Sequence, residues 1–358
     1  MSIQRITALR KTLKKRGWDA FIVSQPENRR YISEFTGSAG FLLITPHLAL
    51  LLTDFRYIEQ ASKEATDFEV VRLTTNFTSQ LSILISEHSL KTLAFESDHV
   101  TVAQLKKWQE TASDVDWIPT ENAVETLRMI KDEKEVQAIR RAVQLTDEAF
   151  AHLTRTLLPR TTELETAWEL ESYMRTHGAE KVAFDLIVGS GLNGAMPHAT
   201  SSAKEILPGE PIVIDIGAVV DGYHSDMTRT VCIGQPDERF LEVYDVVLRA
   251  QEAAEQAIGP GMTGQETDEI AREVIKDAGF GPHFGHGLGH GVGLAIHEGP
   301  RLGQTSTEIL QPGMTVTVEP GIYLPDWGGV RIEDLVIITE DGCEILTETD
   351  KNPIINSS

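Results

Sequence analysis

Pro159, Thr162, Glu165, Thr166 and Gly178 recur as Pro260, Thr263, Glu266, Thr267 and Gly279, each displaced by 101 residues. No other feature restricts the fold of this chain as strongly. In each copy a threonine stands where a helix N-cap belongs, with a glutamate three residues on to close a capping box. In each copy a glycine follows where a helix C-cap favours a left-handed residue. Two unrelated helices with ordinary caps would share these residues, but the strands downstream repeat as well. Ile212-Val-Ile-Asp-Ile-Gly217 is echoed by Thr315-Val-Thr-Val-Glu-Pro-Gly321. Each is followed by a turn and a second strand bearing an acid, Asp226 in the first copy and Glu333 in the second. The pattern predicts a pseudo-twofold domain whose halves each turn two carboxylates toward a common centre.

Those carboxylates stand in unfavourable places. Asp215 lies inside an apolar strand, on the face it shares with Val213 and Gly217 by the two-residue period. Glu319 follows Val316 and Val318, and Glu333 stands in Val330-Arg-Ile-Glu-Asp-Leu-Val336. A buried charge is costly unless it is paired or bound to a cation. One acid in a strand is usually salt-bridged; several in one domain cannot ionise together without a shared countercharge. Two divalent cations would supply it. The segment His283–Glu298 adds imidazoles, since His283, His286, His290 and His297 all fall within it. Glycine occupies every second position from Gly285 to Gly293, which lets the backbone pass close to a bound group. A glycine-rich turn with chance histidines, or a nucleotide loop, would share some of this. No Walker-type Lys-Ser/Thr follows, however, and no strand–turn–helix of dinucleotide type frames the segment.

The first third alternates helix and strand. Ile3, Ile6, Leu9 and Leu13 recur at helical spacing, so the basic N-terminus reads as an amphipathic helix ending at Gly17 rather than a targeting peptide. Ala20 to Ser24 reads as a strand, followed by the breaker Gln25-Pro26-Glu27-Asn28. Phe41–Ile44 and Leu48–Thr53 read as a hairpin, Phe55–Ala65 as helix, and Phe68–Leu73 and Thr92–Glu96 as strands. This gives an α/β N-terminal domain over residues 1–122 and a second, α+β domain over 123–358. The latter opens on a charged helix from Asp132 to Leu157. A formal net charge of −22 argues against nucleic acid and anionic lipid as partners. No apolar run approaches the roughly 18 residues that span a bilayer. Cys232 and Cys343 are the only cysteines, too few for a disulfide framework, and a reducing cytoplasm fits.

With these residues in view, the chain closely resembles the pita-bread metallopeptidase family, which contains Xaa-Pro dipeptidases (prolidases), aminopeptidase P, methionine aminopeptidase and creatinase. The resemblance spans nearly the whole chain. Phe35-Thr-Gly-Ser38 and Thr53-Asp-Phe-Arg-Tyr57 match the N-terminal domain of the proline peptidases. The string from His286 through His290 to His297-Glu298 matches their signature throughout. The resemblance implies a metal set of Asp215, Asp226, His290, Glu319 and Glu333, with Asp226 and Glu333 bridging two divalent cations. Manganese suits this oxygen-rich set best, with cobalt or zinc possible. It further implies catalytic roles for His198 and His297 and a proton-shuttle role for Glu319. His286 and Arg331 would line the substrate pocket. Arg301 matches an arginine that meets a dipeptide carboxylate in some prolidases. The expected reaction is hydrolysis of the bond before proline in dipeptides or short peptides by a metal-bridged hydroxide, carried out by a homodimer.

Other readings share parts of the pattern. A proline-specific aminopeptidase acting on longer peptides carries the same signature. Methionine aminopeptidase has the same ligands, but normally without this N-terminal domain and with a different histidine spacing. Creatinase-like hydrolases share the two-domain build but lack a metal site. Non-catalytic peptide-binding relatives have lost ligands, whereas all five positions are filled here.

Overall fold

The computed structural model describes residues 2–355. The chain divides into two compact units, Met1–Arg128 and Met129–Ser358.

Among the described residues, unit one holds a six-stranded mixed sheet in the order β4-β3-β2-β1-β5-β6. Its strands are β1 (Ala20–Val23), β2 (Phe41–Ile44), β3 (Ala49–Thr53), β4 (Glu69–Arg72), β5 (Thr92–Glu96) and β6 (Asp116–Thr120). Its helices are α1 (Ser2–Arg16), α2 (Pro26–Ser33), α3 (Ile58–Glu64), α4 (Phe77–Glu87), α5 (Val102–Thr111) and α6 (Glu125–Arg128). Ile6, Leu9 and Leu13 are buried on α1 as their spacing requires, while Ile3 is exposed. One core forms where Ile22, Leu43, Leu52, Leu93 and Phe95 meet Trp108 of α5. The breaker expected at Gln25–Asn28 is instead a helix start. Pro26 occupies the first turn of α2, where its missing N–H has no intrahelical acceptor to lose.

Unit two opens on α7 (Glu133–Thr156) and α8 (Glu163–Thr176). The strands β7 (Lys181–Val182), β8 (Ile187–Ser190), β9 (Ile212–Ile216), β10 (Ala218–Val220), β11 (Tyr223–His224) and β12 (Met227–Ile233) follow. Next come α9 (Glu238–Ala257) and α10 (Gly264–Asp277), then β13 (Gly289–Gly291), β14 (Glu298–Leu302), β15 (Thr315–Val318), β16 (Gly321–Leu324), β17 (Gly328–Arg331), β18 (Asp334–Ile338), β19 (Cys343–Ile345) and β20 (Ile354–Ile355). The two halves are built alike. Thr162 caps α8 and Thr263 caps α10, each through a complete capping box, and each helix is 14 residues long. In the first half β9 lies antiparallel between β8 and β12; in the second β15 lies antiparallel between β13 and β18. Helix pairs α7/α8 and α9/α10 cover the two sheets.

Strand alternation decides what faces the centre. Ile212, Ile214 and Ile216 of β9 enter the core beneath α7 and α8, which leaves Val213 and Asp215 on the other face. Val316 and Val318 of β15 enter the second core, which leaves Thr317 on the face that continues to Glu319. The halves join where Thr228 of β12 bridges Glu333. Here Arg331 donates its backbone N–H to Thr230 Oγ1, and Thr230 Oγ1 donates to the Arg331 carbonyl.

Candidate metal centre

The acids and His290 meet at this junction. Ligand atoms of Asp226, His290 and Glu333 all lie within 4.8 Å of one another, and all three residues are buried. His290 Nε2 is 3.5 Å from Asp226 Oδ2 and 3.5 Å from Glu319 Oε1. His290 Nδ1 lies 3.1 Å from the Gly291 carbonyl, which only accepts, so Nδ1 carries the proton and Nε2 presents its lone pair to the acids. Thr317 accepts from the His290 backbone N–H and donates to Glu319 Oε1, fixing both from one hydroxyl. The backbone can come this close because residue 289 is glycine; a Cβ there would overlap the Thr317 carbonyl.

Asp215 is held from the other half. Arg331 Nη2 donates to Asp215 Oδ2 at 2.6 Å. The same guanidinium donates from Nη1 to Tyr323 Oη (2.7 Å) and from Nε to Thr228 Oγ1 (3.0 Å). Thr228 in turn donates to Glu333 Oε2 at 2.6 Å. A single arginine therefore sets one carboxylate of each half, directly for Asp215 and through Thr228 for Glu333. Tyr323 Oη is 3.0 Å from His286 Nε2, and His286 Nδ1 is 2.8 Å from the Gly287 carbonyl. His286 is thus a neutral acceptor of the tyrosine proton.

The electrostatics mark a centre short of positive charge. Burial pushes the Asp226 and Glu333 carboxyls well above the usual carboxylate range, and the surrounding acids push them further. Glu319 is pushed up to about 7, by burial and the Asp215 charge against the opposing pull of Arg331. Burial lowers His290 to about 3 and His286 to about 4, keeping both rings neutral. Asp215 Oδ1 is buried with no hydrogen-bond partner. An orphaned carboxylate oxygen beside proton-retaining acids and a bare imidazole nitrogen is a donor set that fits a divalent cation.

This centre floors a cavity of about 710 Å³. His198, His286, His297, Arg301 and Arg331 all line it, with Phe184, Ile187 and Ile296 supplying apolar wall. The His297 ring lies 4.3 Å from that of His290, centroid to centroid. Its pKa is lowered by burial and then by Arg301 and His198. Arg301 stands directly opposite His290 in the β13–β14 ladder, so the two side chains share a face. It forms no ion pair among the described residues. His283 is not among the cavity-lining residues.

Residues 137–340 match Metallopeptidase family M24, and residues 5–130 match the Creatinase/Prolidase N-terminal domain. The chain belongs to metallopeptidase family M24. A Xaa-Pro dipeptidase from Pyrococcus furiosus is 37% identical over 97% of this chain and 99% of its own. The solved Xaa-Pro dipeptidase from Bacillus anthracis is 41% identical with a TM-score of 0.97, covering 100% of both chains. The X-Pro aminopeptidase structure from Thermotoga maritima is 39% identical with a TM-score of 0.90, covering 97% of this chain and 100% of its own. The family is one of divalent-metal peptidases, and the donor chemistry described above fits that requirement.

Sequence reasoning brought the acids, His290 and the cavity histidines to one place but passed over Thr228, Thr317 and Tyr323. Thr228 lies two residues after Asp226 and Thr317 two before Glu319, so strand period alone put both on the ligand face. Nothing in the sequence marks Tyr323.

Proposed function

We propose that the chain is a dinuclear metal-dependent Xaa-Pro dipeptidase. The observation that carries this reading is Arg301, an exposed guanidinium on the cavity wall with no ion pair among the described residues, directly across the ladder from His290. A dipeptide ends in a carboxylate next to its scissile bond, whereas a longer peptide continues there as a neutral amide. Charge-assisted pairs are about twice as strong as neutral hydrogen bonds, so such an arginine favours the dipeptide. The full-length similarity to proteins named Xaa-Pro dipeptidase points the same way.

In this reading Asp215, Asp226, His290, Glu319 and Glu333 hold two divalent cations, manganese first given four carboxylates and one imidazole. When bound, the cations supply Lewis acidity and bring a water toward neutral pKa. Glu319 would take the proton of the attacking water and pass it to the leaving proline nitrogen. His198 and His297 hydrogen-bond the substrate and the developing oxyanion. Proline offers no amide hydrogen and a fixed φ, so recognition rests on cavity shape. Phe184, Ile187 and Ile296 are suited to the ring and its neighbour. Arg331 acts by positioning Asp215 and Tyr323, and His286 by holding the tyrosine hydroxyl. A homodimer and a cytoplasmic setting complete the proposal. The first rests on family resemblance; the second accords with two free thiols and with no described helix long and apolar enough to cross a membrane.

The similarity to an X-Pro aminopeptidase sustains a second reading, in which longer peptides are the substrates. A panel of Xaa-Pro dipeptides, Xaa-Pro-Yaa tripeptides and longer peptides, assayed with added manganese, tests both. Preference for dipeptides supports the dipeptidase. Preference for tripeptides moves the assignment to aminopeptidase, and no cleavage of any member refutes both.

A further inference from the structure

Lys131 and Glu298 form an ion pair, Nζ to Oε1 at 2.9 Å, with side chains only 1% and 6% exposed. Neither is among the residues that line the cavity over the metal centre. Removing two charges from water costs several kcal/mol per ion, and well-packed apolar side chains of the same volume are often as stable or more so. Stability alone therefore does not account for the pair, and its location does. Glu298 directly follows His297 and opens β14, the strand that carries Arg301. The β13–β14 ladder shifts register at this point: His290 faces Arg301, but Gly291 faces Glu298. The irregular loop between the strands, residues 292–297, is tied to its neighbours at its start, where the Val292 N–H donates to the Thr315 carbonyl, Thr315 Oγ1 donates to the Val292 carbonyl and the His224 N–H donates to the Gly293 carbonyl; further along it folds back on itself. Gly293 donates to the Ala295 carbonyl, and Ala295 donates to Glu298 Oε2 at 3.4 Å. The carboxylate lies so closely over Gly293 that a Cβ there would overlap it. Lys131 is itself anchored, its backbone N–H donating to Gly313 and its Nζ also to the Met129 carbonyl.

We propose that the buried Lys131–Glu298 ion pair is a positioning device that locks the 292–298 loop, and with it His297 and Arg301, against the metal-facing strand β13. The role assigned to those two side chains rests on the function proposed above; the locking of the loop does not. Lys131 holds one carboxylate oxygen and the Ala295 amide reaches the other, so the carboxylate ties the loop to the lysine. An ion pair fixes direction as well as distance, which an apolar contact would not.

Three metal-loaded variants test this. Lys131→Met takes the lysine cation away from Glu298, Lys131→Met/Glu298→Gln removes both charges, and Lys131→Arg keeps the charge. Amide hydrogen exchange over residues 292–298 reads the loop whatever the enzyme turns over, and kcat and KM on a Xaa-Pro dipeptide read the consequence. We expect faster exchange at Ala295 and its neighbours in both Met variants. We also expect kcat/KM to fall by up to about 100-fold, the scale of a misplacement of about 1 Å, with metal stoichiometry unchanged and both kcat and KM affected. Lys131→Arg should retain most of the activity. If Lys131→Met fails to fold, the doubly neutral variant carries the test. Wild-type exchange and wild-type kcat/KM in that variant would overturn the proposal, as would a loosened loop with undiminished kcat/KM. If the wild-type protein cleaves no Xaa-Pro peptide, the functional reading fails on its own, and the exchange measurement still decides whether the pair locks the loop.

Discussion

Metal-free protein should lose stability as pH rises through neutrality, and divalent cation should restore it. Glu319 gives the scale. Its carboxyl is raised from an ordinary 4.5 to about 7 in the folded protein. A group raised in this way contributes stability that is fully present below its unfolded value and is lost as pH climbs through its folded value. Between pH 4.5 and 7 the metal-free fold therefore gives up about 3 kcal/mol from this residue alone. Asp226 and Glu333 are raised by the same causes and add to the loss. A bound cation replaces the protons, so the loaded protein is spared. Folded His290 is neutral above pH about 3, and its titration in the unfolded chain is common to the metal-free and loaded melts, so it cancels from the gap between them. For a unit of this size, about 3 kcal/mol corresponds to about 6–12 °C in Tm. Thermal melts at pH 5, 6, 7 and 8, with chelator and with saturating manganese, should give a Tm gap that widens with pH by at least that amount. Taking the difference removes every titration remote from the site. Glu319→Gln should flatten part of the trend. A gap that is constant or narrows toward pH 8 would show that these acids are not where the cation binds.

Arg301→Ala should lower kcat/KM for Xaa-Pro dipeptides by about 30- to 1000-fold, the equivalent of about 2–4 kcal/mol for a carboxylate left unpaired; tripeptides should change much less, and an equal fall in both removes Arg301 from the carboxylate-reading role. Asp226→Ala and Glu333→Ala should each lose bound metal by elemental analysis while His198→Ala keeps it; full metal content in Glu333→Ala would contradict its assignment as a ligand. Tyr323→Phe leaves His286 Nε2 and an Arg331 N–H without their partner and should cost about 1–3 kcal/mol in denaturant unfolding, with metal content retained.

Particular residues show how far the sequence could be read. The capping boxes at Thr162 and Thr263 were legible because a cap is local: donor and acceptor lie three residues apart on one chain. The face of Asp215 was legible because alternation fixes direction within a strand. Alternation names no partner, however. Arg331 and Asp215 are 116 positions apart, and Thr228 and Glu333 are 105 apart. Nothing in strand period says that one guanidinium will link them. Tyr323 is hidden for the same reason, its hydroxyl being defined only by the arginine and histidine it joins. The misread start of α2 has a different cause. Proline breaks a helix interior but suits the first turn, and the short run after Pro26 gave too little periodicity to tell the two apart.

The position of the site follows from the duplication. Each half brings two carboxylates, within a strand or directly at its end: Asp215 and Asp226 from one, Glu319 and Glu333 from the other. Bringing the halves together raises the local negative charge, which is unfavourable unless something positive stands at the junction. Arg331 supplies one charge against four carboxylates. It comes from the second half to hold Asp215 of the first, so it favours the joined arrangement over either separate half. The remaining deficit appears in the proton-retaining acids and in the unpartnered Asp215 Oδ1. Divalent cations bound there, as proposed above, would complete the charge balance that Arg331 begins. The group that would carry the chemistry is thereby also one that holds the two halves to each other.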